Sequence, residues 1–202
     1  MGQYYYPTIL IKKGKRFYSE QFYSHDYGNG LKLTEHSYCG NNFVETVMAQ
    51  LFNRPGRLAW LGDYHEKGDF AELNPDSQEF EPIFYRHYKT FKDKDEKGKH
   101  YNKPEEVLER KGRFILNHDK QCYIDMVEYE KIAPNANDWD DFPFHPIPLL
   151  TAVGNGRGGG DFSGIGEDDI GIWAGDLLEV QCARPNGYRD VTADIDFQES
   201  YK

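Results

Sequence analysis

The sequence is short of cysteine, of long apolar runs and, in its last third, of positive charge. Each shortage narrows what the chain is. Its three cysteines, Cys39, Cys122 and Cys182, stand far apart and are odd in number. They form neither a CxxC pair nor a disulfide framework, so thiols in a reducing, cytoplasmic compartment are expected. No apolar run approaches the roughly 18–20 residues that cross a bilayer. The opening Met-Gly-Gln-Tyr-Tyr-Tyr-Pro lacks a basic segment followed by an apolar one, so no secretory signal is read. Residues 134–202 carry 4 Lys/Arg against 13 Asp/Glu, most of the excess behind the net charge of −10. Duplex DNA is therefore a disfavoured partner, because phosphate binding needs concentrated basic charge.

Catalytic signatures are missing as well. The chain has no H-E-x-x-H, no His/Cys ligand cluster and no G-x-S-x-G, which removes the usual zinc-hydrolase and α/β-hydrolase patterns. The acidic groups Asp138, Asp140, Asp141 and Glu167, Asp168, Asp169 do not match an EF-hand loop. No metal, cofactor or catalytic set is assigned, and the balance leans away from an enzyme. Two histidine–aspartate neighbours, His25-Asp26 and His118-Asp119, are poor acid–base pairs, since adjacent residues on a strand point to opposite faces.

What is abundant is aromatic and turn-forming. Fifteen Tyr, thirteen Phe and twenty Gly suggest strands separated by tight turns. Thr8–Lys12 and Arg16–Ser24 read as strands about a turn at Lys13-Gly14-Lys15. Asp26-Tyr-Gly-Asn-Gly30 is a second turn, with Leu31–Ser37 as the returning strand. Phe43, Val44, Val47, Met48, Leu51 and Phe52 form one apolar stripe, which predicts a helix over about 42–53, capped by Asn42 with Glu45 in a capping box. A short second helix is expected at about 104–111, and a mobile charged loop at about 92–103. Further strands are expected at Arg57–His65, Phe114–His118, Gln121–Val127, Leu149–Val153 and Gly171–Ala183. Ala133–Pro148 reads as a long surface connection. With no domain boundary visible, residues 1–202 form a single α+β domain, a mostly antiparallel sheet with the 42–53 helix on one face.

Two segments invite a ligand or partner. In Gly154-Asn155-Gly156-Arg157-Gly158-Gly159-Gly160-Asp161 the glycines can turn backbone N–H groups toward an anion. Arg157 can make a two-pronged contact with phosphate or carboxylate, and Asp161 can orient a hydroxyl. The segment is neither a Walker A loop nor a dinucleotide fingerprint, and a purely structural tight loop explains the same glycines. The acidic set Asp138, Asp140, Asp141, Glu167, Asp168 and Asp169 offers a surface to a basic partner. A third reading rests on the N-terminal aromatics Tyr4, Tyr5, Tyr6, Phe17, Tyr18, Phe22 and Tyr23. Interleaved with Lys12, Lys13, Lys15 and Arg16, they can stack single-stranded bases, or simply pack across strands.

Three stretches, Tyr23–Leu33, Ile115–Asp125 and Leu149–Asp161, resemble small uncharacterised proteins carried by bacteriophages and mobile elements of gut bacteria. The resemblance brings no activity or site residues. It implies a setting in which a small acidic protein binds a host protein, a defence nuclease among the candidates. The expectation is a non-catalytic binding protein with an acidic interaction surface. The alternatives are a nucleotide or phosphorylated-ligand protein built on the glycine loop, and a single-strand nucleic-acid binder.

Overall fold

The computed structural model describes residues 2–92, 112–136 and 142–199. The expected helix at about 104–111, the charged loop at about 92–103 apart from its first residue, and Asp138, Asp140 and Asp141 lie outside the described residues.

Two antiparallel strands, β1 (Tyr5–Lys13) and β2 (Arg16–Gln21), open the chain as a hairpin. Its tip is Gly14-Lys15, between the paired Lys13 and Arg16. Gly14 sits at φ 62°, a left-handed conformation that a two-residue hairpin turn needs. The fold is α+β, as the sequence implies. Eight strands make one sheet, in the order β2-β1-β3-β8-β4-β5-β9 with β6 added beside β3. Here β3 is Gly56–Gly62, β4 Phe114–Asn117, β5 Cys122–Asp125, β6 Ala152–Val153, β8 Leu177–Gln181 and β9 Arg189–Asp190. Its pairs are antiparallel except β3–β6 and β5–β9. A separate antiparallel pair joins β7 (Gly164–Ile165) to β10 (Gln198–Glu199).

Alternation along the central strands sends side chains into two cores. Ile9 and Ile11 of β1 and Leu58 and Trp60 of β3 pack with one cluster, while Leu10, Ala59 and Leu61 pack with another. The first core receives Phe43, Val44, Val47 and Leu51 around α2 (Asn42–Gln50). The second receives Phe70 of α3 (Asp69–Leu73), Phe80, and Phe84 of α4 (Glu81–Lys92). The sheet is therefore covered on both faces, which accounts for the near-continuous apolar run Thr8–Ile11.

Several local expectations give way, and the strands expected at Gly171–Ala183 and Leu149–Val153 shrink to Leu177–Gln181 and Ala152–Val153. The helix begins with Asn41 as its cap, whose Oδ1 accepts the N–H of Phe43 at 2.9 Å, and it ends at Gln50 rather than at residue 53. The chain turns there because Asn53, at φ 50°, bends it toward β8, where the Asn53 N–H meets Val180 O at 2.9 Å. Leu31–Ser37 is no strand: it holds α1 (Leu33–His36), started by the Glu35 carboxylate accepting the Lys32 N–H at 3.1 Å. Docking to another loop replaces strand pairing, since Thr34 N donates to Gly160 O at 3.2 Å. The strand Gln121–Val127 stops at Asp125, whose side chain caps α5 (Met126–Ile132). The described part of Ala133–Pro148 is no surface connection, because Ala136, Phe144 and His145 are buried and α6 (Pro146–Leu150) is buried throughout.

Candidate functional site

From β6 the chain enters the glycine loop at Gly154, φ 95°. Asn155 closes the base of the loop: its Nδ2 donates to Phe162 O and its Oδ1 accepts the Phe162 N–H, both at 2.9 Å. Inside, the Asp161 carboxylate folds back on its own loop. Asp161 Oδ2 accepts the N–H groups of Gly156 at 2.8 Å and Gly158 at 2.9 Å, and Oδ1 accepts the Tyr5 hydroxyl at 2.8 Å. The N–H groups that can gather an external anion thus gather an internal one. Burial and the Asp161 charge push the Tyr5 phenol far above its ordinary value, so it stays protonated and donating.

The outer rim of the loop clasps the N-terminus. Gly159 O accepts the Gln3 N–H at 3.2 Å, and Gly160 O accepts both the N–H and the hydroxyl of Thr34. Gly158 is needed for close approach rather than for its φ, since a Cβ there would lie 2.8 Å from Gln3 N. The fully buried Gln3 side chain, set against Gly62, Gly154 and Gly158, has no hydrogen-bond partner for its amide among the described residues.

Arg157 points the other way, into a cleft of about 350 Å³. Its Nη2 donates to Asp69 Oδ1 at 2.8 Å and its Nη1 lies 3.3 Å from Glu66 Oε2. Asp69, almost fully buried at the start of α3, also accepts the Glu66 N–H at 2.7 Å. Across the cleft stands the 3₁₀ turn Glu167–Asp169, which places Glu167 and Asp168 on the same wall system as Gly154, Asn155 and Arg157. Two predicted sets that are separate in sequence thus meet. Asp69, Glu72, Glu167 and Asp168 line the cleft, and Arg157, the cation among the lining residues, is already paired. Asp169 faces a different pocket, beside Lys120 and Arg189. Partial burial and the neighbouring Asp168 hold its carboxyl above the ordinary range.

Other candidates are dispersed. Tyr5 and Phe22 belong to the core, Tyr6 stacks on Tyr23 with centroids 6.0 Å apart, and Tyr4 and Tyr18 stay exposed. Lys13 lies 5.2 Å from the Tyr18 ring. His118 and Asp119 diverge: His118 bridges Glu179 and Tyr188, whereas Asp119 accepts from Arg57 at 2.7 Å. No group of three or more His, Cys, Asp or Glu among the described residues is placed to hold a metal ion. No helix among them is long and apolar enough to cross a membrane.

Sequence reading missed Gln3, Glu66, Asp69 and Glu72. Glu66–Leu73 looks like a polar loop, and no local pattern announces that Arg157 will find its partners there. The chain matches no protein-family model, no curated protein and no solved structure.

Proposed function

We propose that this chain is a non-catalytic binding protein that takes a lysine- and arginine-rich segment of a partner protein into the cleft between the glycine loop and the 167–169 turn. The observation that carries this reading is the charge of that cleft: four carboxylates line it, and its arginine is engaged by Asp69 and Glu66. Desolvated carboxylates favour a cation that restores their pairing, and exposed ones steer a basic partner during encounter. We take that partner to be a host protein, the setting that the resemblance read from the sequence implies. A defence nuclease suits the chemistry, because the surface with which such an enzyme holds nucleic acid is itself basic. The phosphate-ligand reading has less support. It asks Gly156 and Gly158 to release Asp161, and Arg157 to release Asp69, in favour of an anion brought into an acidic cleft.

The test compares wild type with the combined variant Glu72→Gln, Glu167→Gln, Asp168→Asn, whose three positions are exposed. A fluorescent peptide of alternating Arg and Ser is the probe, followed by capture of partners from host lysate. Wild type should bind the peptide at low salt and weaken as screening shortens to about 8 Å near physiological ionic strength. The variant should bind at least about tenfold more weakly, the equivalent of about 1.4 kcal/mol. Equal binding by the two proteins would refute the cleft as the contact surface.

A further inference from the structure

The turn Glu167–Asp169 belongs to two hollows. Glu167 and Asp168 line the acidic cleft, while Asp169 lines a separate pocket of about 180 Å³. Leu150, Ile172, Trp173, Val191 and Ile195 give that pocket apolar walls. Lys120, Cys122, Arg189 and Asp194 complete the lining with Asp169, and these four are paired or neutral. Lys120 Nζ lies 3.3 Å from the buried Asp176, and Arg189 donates to Asp194 at 2.9 Å. Burial pushes the Cys122 thiol up to about 11, so it carries no charge near pH 7. Asp169 is the exception. Its N–H closes the turn on Gly166 O at 3.0 Å, but its carboxylate accepts no hydrogen bond and meets no cation among the described residues. Burial and the charge of Asp168 both act against its ionised form.

An unpaired, partly buried carboxylate in an apolar pocket is matched by a cation carried on an apolar stem. The space sets the size of that stem, since about 180 Å³ is close to the roughly 150 Å³ that admits benzene. An ammonium suits one carboxylate better than a guanidinium, whose five fixed donors would mostly lack acceptors here. We propose that this pocket takes a lysine side chain of the basic segment that enters the acidic cleft, its ammonium against Asp169 and its stem along Ile172 and Trp173. The segment then lies across the turn, with Glu167 and Asp168 on one side and Asp169 on the other. The partner rests on the cleft reading, whereas the chemistry of the pocket stands apart from it.

The test therefore has two arms. In the first, the ¹⁵N-labelled full chain is titrated with n-butylammonium, n-butylguanidinium and n-butanol while amide resonances are followed. Butylammonium should shift Asp169, Ile172 and Arg189 with a Kd below about 10 mM, a reasonable affinity for so small a ligand. Butylguanidinium and butanol should bind at least about fivefold more weakly. Asp169→Asn removes the charge but breaks no hydrogen bond, and it should abolish the shifts. The Glu72→Gln, Glu167→Gln, Asp168→Asn protein should retain them, so the pocket is judged whatever becomes of the cleft. In the second arm, Asp169→Asn should weaken binding of an alternating Lys–Ser peptide at least about fivefold and leave the Arg–Ser peptide within about twofold. Equal shifts with butanol or butylguanidinium, shifts that survive Asp169→Asn or vanish in the triple variant, or equal effects on the two peptides would overturn the proposal.

Discussion

Asp161 is the residue on which the glycine loop is built, even though Arg157 carries the more conspicuous chemistry. One carboxylate satisfies the N–H groups of Gly156 and Gly158 together with the buried Tyr5 hydroxyl. Removing it leaves three donors short, one of them on a fully buried side chain. Asp161→Ala should therefore destabilise the protein by about 1.5–3 kcal/mol, the range for hydrogen bonds to a charged group. Arg157→Ala breaks a pair whose arginine is over a third exposed, so solvent screening limits the cost to about 1 kcal/mol or less. Urea titration of both variants decides the order, and the opposite ranking would show that the loop is held from outside.

Among the elements, α2 depends on a cap that lies one residue before the expected one. Asn41 accepts from Phe43 N and is itself oriented by Asn29, its Nδ2 donating to Asn29 Oδ1 at 2.8 Å. Asn42 is exposed at the first helical position. Asn41→Ala should cost about 1 kcal/mol, the usual worth of an N-cap. Asn42→Ala should stay within about 0.5 kcal/mol, as for most surface substitutions. Chemical denaturation of the two alanine variants separates them, and equal losses would contradict the assignment of the cap. The same logic explains why Leu31–Ser37 is not a strand. Its backbone groups are used by Glu35 and by Gly160, which leaves no ladder to join.

For the whole molecule, two buried histidines make stability depend on pH. His36 donates from Nδ1 to Gly30 O at 3.1 Å and accepts from Trp60 Nε1 at 2.9 Å, so a second ring proton would confront the indole N–H. Burial lowers His36 from 6.5 to about 4 and His145 from 6.5 to about 3. Both values are depressed, so between them and 6.5 the unfolded chain binds protons that the folded chain refuses. The stabilisation is complete above the unfolded value and is lost as pH falls from 6.5 toward about 4. At pH 5 the loss should be on the order of 2 kcal/mol per histidine. Urea midpoints near pH 7.5 and pH 5 measure it, and an unchanged midpoint would mean that neither ring is buried neutral. Asp176 acts at the same scale. Fully buried, it accepts from Asn74 at 2.8 Å and from Ser77 and Asn117 at 2.7 Å, and it lies 3.3 Å from Lys120 Nζ, joining segments distant in sequence.

The sequence by itself determined the α+β class, the turn at Gly14, the apolar stripe of α2 and the two strands that become β4 and β5. Each is decided by residues within about one or two turns of chain, where periodicity and turn chemistry act directly. It also singled out the glycine loop as a candidate ligand site and Glu167–Asp169 as part of an acidic partner surface, and the tertiary structure brought Arg157, Glu167 and Asp168 to one cleft. What only the tertiary structure decided was direction and partnership. Asp161 turns inward to Tyr5 across 156 positions, and Arg157 meets Asp69 across 88. The strand order that sets β8 between β3 and β4 is of the same kind. Such contacts depend on which surfaces the sheet and its helices bring together, and no local spacing encodes them.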